Sequence, residues 1–105
     1  MSDGIWQDVC GADEIEREDV RGFDIGGASY AVYRADDGTF HATAGQCTHE
    51  GVALADGIVI GDIIECAMHN GRFNIRTGKA MGAPACVDLQ KFAVKVEGGR
   101  VLIKI

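Results

Sequence analysis

Two short segments, each carrying one cysteine and one histidine, constrain this chain more than any other feature: Cys47-Thr48-His49 and Cys66-Ala67-Met68-His69. One residue separates the pair in the first segment, two separate it in the second, and sixteen lie between the segments. Such close spacing lets each segment present both donors to one small object. The sixteen intervening residues suffice for a hairpin that brings the segments face to face. The expected fold holds two short loops opposite one another.

The rest of the chain reads as the scaffold for those loops. Ile5 to Val9, Val20 to Asp24, Ser29 to Arg34 and Thr39 to Ala42 have strand character, and Ala12 to Glu18 is an acidic loop or helical turn. Gly26-Gly27 is a hairpin signal, because both central residues of the favoured two-residue turn need positive φ. Asp36-Asp37-Gly38 is a second turn. In the middle, Ile58–Ile60, Ile63–Glu65 and Arg72–Asn74 are short strands among Cys-, His- and Gly-rich loops. Phe92, Val94 and Val96 alternate with Ala93, Lys95 and Glu97, and Val101, Ile103 and Ile105 repeat the pattern after Gly98-Gly99. That alternation predicts a closing hairpin with one face in the core. Fifteen glycines and one proline in 105 residues suit many short strands with tight turns. The length allows one compact domain.

A formal net charge of −6 argues against nucleic-acid binding, which needs a basic face. It suits either solubility or a partner with a basic docking surface. Met1 to Trp6 has no basic region followed by an apolar run, and no apolar stretch is long enough to span a bilayer. A cytoplasmic protein without a membrane partner is expected, and its four cysteines are then metal ligands or free thiols rather than disulfides.

Two thiolates and two imidazoles suit zinc, or a cluster with one iron held by sulfur and the other by nitrogen. The common zinc finger groups its cysteines and its histidines separately, whereas here each cysteine is followed by a histidine. The alternation resembles the Rieske pattern, in which two cysteines hold one iron and two histidines the other. Cys47-Thr48-His49-Glu50-Gly51, Cys66-Ala67-Met68-His69-Asn70-Gly71-Arg72-Phe73 and Thr77-Gly78 resemble the Rieske ferredoxins of bacterial oxygenase systems. Gly82-Ala83-Pro84 resembles the proline loop that covers the cluster in that family. The likeness runs from Trp6 to the last hairpin. One departure is Asn70, where family members commonly carry glycine; asparagine tolerates positive φ better than most residues.

The resemblance implies an all-β, Rieske-type β-sandwich, a single domain over 1–105, with a small cluster-binding subdomain over about 44–83 built on two loops. It implies one [2Fe–2S] cluster on Cys47, His49, Cys66 and His69. The implied role is a monomeric electron carrier between a flavin- or nicotinamide-dependent ferredoxin reductase and a terminal Rieske oxygenase, in the catabolism of aromatic or related compounds. Such a chain is a component of an enzyme system, not an enzyme alone. Two ferric ions, two sulfides and two thiolates sum to zero charge, so neutral imidazoles raise the potential relative to four cysteines, over a family range of about −150 to +300 mV. High-potential relatives have a disulfide between the loops and hydroxyl donors near the cluster. The matching positions here are Val52 and Met68, and Gly71 and Phe73, none of which supplies either device. The low end of the range is therefore expected. The imidazole edges of His49 and His69 are the implied electron exit, with Met68, Leu54 and Pro84 as an apolar docking rim and Glu50 as a charge beside it.

Other residues receive plainer readings. His41 is a surface or packing histidine, and Cys10 and Cys86 are inert core thiols. Trp6, Phe23, Tyr30, Tyr33 and Phe40 build the core. Arg72 and Lys79 either pair with Glu50 or Glu65 or sit in water, the second being the default. Two competing functions stand beside the carrier: a small subunit of an assimilatory nitrite reductase, and a structural zinc module.

Overall fold

The structure, a computed structural model, describes residues 4–48, 52–67, 71–82 and 87–105. The described residues form eleven strands: β1 (Trp6–Gly11), β2 (Asp19–Ile25), β3 (Ala28–Arg34), β4 (Phe40–Ala44), β5 (Ile58–Ile60), β6 (Ile63–Glu65), β7 (Arg72–Asn74), β8 (Ala80–Gly82), β9 (Lys91–Phe92), β10 (Val94–Glu97) and β11 (Arg100–Lys104). They make three antiparallel sheets, ordered β1-β11-β10, β2-β3-β4-β9 and β5-β6-β7-β8. No helix among the described residues is long and apolar enough to cross a membrane.

The four-stranded sheet β2-β3-β4-β9 is the middle layer, and the alternation of side chains along β3 shows why. Ala31 and Tyr33 join Val20, Val59, Ile64 and Phe73 in one apolar cluster, between this sheet and the β5–β8 sheet. Val32, one residue out of phase, joins Ala42, Cys10, Val101 and Ile103 in a second cluster, against the β1-β11-β10 sheet. Period-two alternation thus serves two cores from one strand. Tyr33, wholly buried, donates its hydroxyl hydrogen to Thr43 Oγ1 at 2.7 Å, because Thr43 gives its own to the Ala44 carbonyl at 2.8 Å. Burial pushes the Tyr33 phenol well above its usual range.

The glycine turns form as expected. Gly26 and Gly27 have φ of 59° and 84°, closing β2–β3 in full register from Asp19↔Arg34 to Ile25↔Ala28. Several expectations need correction. Val96 is 47% exposed despite its place in the closing alternation, because β10 is the edge of its sheet. Trp6 joins neither core cluster; its ring lies under Lys95 Nζ at 4.4 Å and Lys104 Nζ at 5.8 Å, a cation–π arrangement at the surface. Phe23, Tyr30 and Phe40 are partly buried against the second cluster.

Candidate metal centre

Each cysteine ends a ladder of backbone hydrogen bonds. Beyond β4, Gly45 N donates to Ser29 O at 2.9 Å, and Leu54 N donates to Gly45 O at 2.9 Å. Gln46 and Ala53 then pair as an isolated bridge, and Cys47 N donates to Val52 O at 2.8 Å. The second loop repeats this plan. β6 and β7 pair from Ile63↔Asn74 to Glu65↔Arg72, and Cys66 N donates to Gly71 O at 2.7 Å. Both loops therefore close five residues past the cysteine, although their Cys–His spacings differ. His49 and His69 fall within these loops by sequence, and both lie outside the described residues, as do Glu50, Met68, Asn70, Pro84 and Cys86.

Cys47 and Cys66 are 2% and 1% exposed and belong to the same apolar cluster as Phe73, Ile64 and Leu54. The structure thus brings the two predicted sulfur ligands into one buried environment. Gly71 is buried at the foot of the second loop, and Phe73 is wholly buried in the shared cluster. Leu54 is also wholly buried, so it is a core residue behind the cysteines and not part of a docking rim. The reason is the Leu54 N–Gly45 O bond, which folds the chain back over the core immediately after the first loop. Cys10 is buried in the other cluster, and burial followed by the nearby Glu14 carboxylate pushes its thiol up. His41, on β4, donates from Nε2 to Thr39 Oγ1 at 2.8 Å, because that hydroxyl gives its own hydrogen to Asp37 Oδ1; burial and then Arg76 and Lys91 lower the His41 pKa.

The donor set fits a cluster ligated by two thiolates and two imidazoles. Two buried sulfurs lie among apolar side chains, on loops that each carry a histidine by sequence. Among the described residues alone, no group of three His, Cys, Asp or Glu side chains gathers to hold a metal ion.

Two side-chain contacts flank the cysteine loops, and only the second escaped sequence reasoning. Arg72 Nε donates to Glu65 Oε2 at 3.1 Å, so of the two readings of Arg72 the pairing with Glu65 is the one that forms, on the rung next to Cys66. Cross-strand register makes the pair, and an exposed pair of this kind is worth little energy. Thr48 Oγ1 donates to the Val87 carbonyl at 2.6 Å, tying the first loop to the segment before β9. Val87 is itself 58% exposed and lies beside the first loop through that bond. No local pattern marks it, because the contact spans 39 positions.

Comparison with known proteins agrees with this geometry. The model of the Rieske [2Fe-2S] domain matches residues 5–93. The chain belongs to the Rieske family. The ferredoxin component of naphthalene 1,2-dioxygenase/salicylate 5-hydroxylase systems from a Ralstonia species is 38% identical over 100 residues, covering 95% of each chain. Ferredoxin CarAc from Metapseudomonas resinovorans is 40% identical over 100 residues, covering 94% of this chain and 92% of its own. A solved complex of reduced oxygenase and oxidized ferredoxin in carbazole 1,9a-dioxygenase contains a chain that superposes with a TM-score of 0.89 at 39% identity, covering 96% of this chain and 94% of that one. The Rieske assignment brings with it an iron–sulfur cluster rather than structural zinc.

Proposed function

We propose that this chain is the ferredoxin component of a bacterial oxygenase system, carrying single electrons from a reductase to a terminal oxygenase that acts on aromatic or related compounds. The observation that carries this reading is the pair of matched hairpin ends, each presenting a buried cysteine to one apolar cluster. Cys47 and Cys66 hold one iron of a single [2Fe–2S] cluster, and His49 and His69 hold the other. The cluster-binding subdomain spans about residues 44–83. Bound there, the cluster supplies a one-electron couple.

The protein's own residues determine how that couple is presented. Both cysteines are buried, so the sulfur end of the site faces the core. Gly71 and Phe73 offer no side-chain hydroxyl, and Val52 cannot enter a disulfide. With those stabilising contacts absent, the more negative reduced state is less favoured, and the potential lies at the low end of the family range. Acting alone the chain has no catalytic role, and its compartment is the cytoplasm.

EPR on protein purified without oxygen, before and after dithionite, tests this reading. A silent oxidised sample that gives a rhombic spin-half signal on reduction supports it. A colourless preparation containing zinc refutes it. Copurification with a large siroheme protein would instead favour the nitrite reductase subunit.

A further inference from the structure

The two cysteines ride on different sheets. Cys47 lies just beyond β4 of the middle sheet, and Cys66 directly follows β6 of the β5–β8 sheet. Their separation therefore depends on how the β5–β8 sheet is seated on the middle one. The β5–β6 turn, at the end of β6 away from Cys66, carries two polar ties between the sheets.

Arg76, which follows β7, makes the first. Its Nε donates to Asp62 Oδ1 at 2.8 Å and its Nη2 to Asp37 Oδ2 at 3.0 Å. Asp62 belongs to the β5–β6 turn, whereas Asp37 belongs to the β3–β4 turn of the middle sheet. Asp37 is itself held, since its Oδ1 accepts from Thr39 N at 3.0 Å and Thr39 Oγ1 at 2.7 Å. Asn74 Oδ1 accepts from Arg76 N at 2.8 Å, which orients the base of the arginine. In the second tie, Glu18 Oε2 accepts from Gly61 N at 2.8 Å. Glu18 has φ of 59°, a conformation that non-glycine residues rarely adopt, and its own N–H donates to Arg34 O at 2.7 Å.

We propose that Arg76, acting through Asp37 and Asp62, is a positioning residue for the metal centre: it seats the β5–β8 sheet and so sets how Cys66 stands relative to Cys47. The inference rests on the reading of those cysteines as cluster ligands. A guanidinium suits the task, because its planar fork holds two carboxylates in fixed directions, whereas an ammonium is a point charge. All three side chains are a third to a half exposed, so the pairs add little to global stability. Their effect is geometric. Without them the sheet keeps its apolar contacts with Val20, Ala31 and Tyr33 but can rock on them.

The test compares Arg76→Gln, Arg76→Lys and Asp37→Asn with the wild type as full-length holoproteins. Asp37→Asn keeps the oxygen that bonds Thr39. Reduced samples of equal iron content are compared by EPR, and exchange of the Ile64 and Val32 amides by NMR. Arg76→Gln and Asp37→Asn are expected to broaden or shift the g features. They should also speed exchange at Ile64 about fivefold, the equivalent of losing two modest surface pairs, and leave Val32 of the middle sheet unchanged. Arg76→Lys should restore part of the wild-type signal. EPR features identical to the wild type overturn the proposal whatever the exchange shows, because the residue is then only structural. Equal acceleration at Ile64 and Val32 overturns it as well. A wild type with no rhombic signal overturns the ligand reading itself.

Discussion

The backbone of Gly57 passes so close to the carbonyl oxygen of Glu65 that a Cβ on Gly57 would collide with it. Gly57 has φ of −90°, so glycine is needed here for room and not for a left-handed backbone. Glu65 immediately precedes Cys66, and crowding at Gly57 therefore displaces the ligand-bearing strand. Gly57→Ala is expected to lower iron per chain and the thermal midpoint together. Iron analysis alongside a melting curve checks it; full iron loading at an unchanged midpoint would be the contrary result.

The three cysteines among the described residues separate into roles by location. Cys47→Ser and Cys66→Ser are each expected to abolish the visible absorption and the reduced EPR signal. Cys10→Ala should leave both intact, because Cys10 lies in the other apolar cluster and acts as a small buried side chain. Absorption spectra of the three purified variants decide the matter.

Leu54 and Val87 make an opposed pair. Leu54→Ala removes wholly buried volume between two sheets and should cost about 2–5 kcal/mol of stability. Val87→Lys changes an exposed side chain while keeping the carbonyl that Thr48 bonds. It should slow electron transfer to the oxygenase with no change in the cluster spectrum. Stopped-flow transfer rates and urea unfolding of each variant check the two effects separately.

Stability should fall as the solution becomes acidic, in two stages of known sign. The His41 pKa is lowered in the folded protein by burial and then by Arg76 and Lys91. The unfolded chain thus takes up its proton first, and stability is lost as pH falls through about 6.5. His41→Gln should flatten that stage. The Asp37 carboxyl is held well below the usual range by Thr39 and then Arg76. Its contribution is fully present above about pH 3.9 and disappears as pH falls through the depressed folded value. Urea midpoints of wild type, His41→Gln and Asp37→Asn across the acid range test both stages.

Much of the scaffold was legible from local pattern. Ile58–Ile60, Ile63–Glu65 and Arg72–Asn74 occur as expected, because β-branched or aromatic residues beside glycine-containing turns specify short strands within a few positions. β1 runs on to Gly11, past the expected end at Val9, with an irregularity in its pairing with β11 between Asp8 and Cys10. Trp6 looked like a core aromatic because its size favours burial, yet its strand places it beneath two lysines. Leu54, expected at the docking rim, instead packs wholly buried in the cluster that holds both cysteines.

The sequence alone determined the all-β class, the hairpin turns and the two Cys–His loops, since each depends on residues a few positions apart. That Cys47 and Cys66 descend from different sheets into one apolar cluster emerges only in the packed fold. The same is true of Arg76, which spans turns from two layers, and of β3, which serves two cores. Those outcomes depend on how sheets stack. Stacking is set by the summed burial of many distant side chains, which no single stretch of sequence encodes.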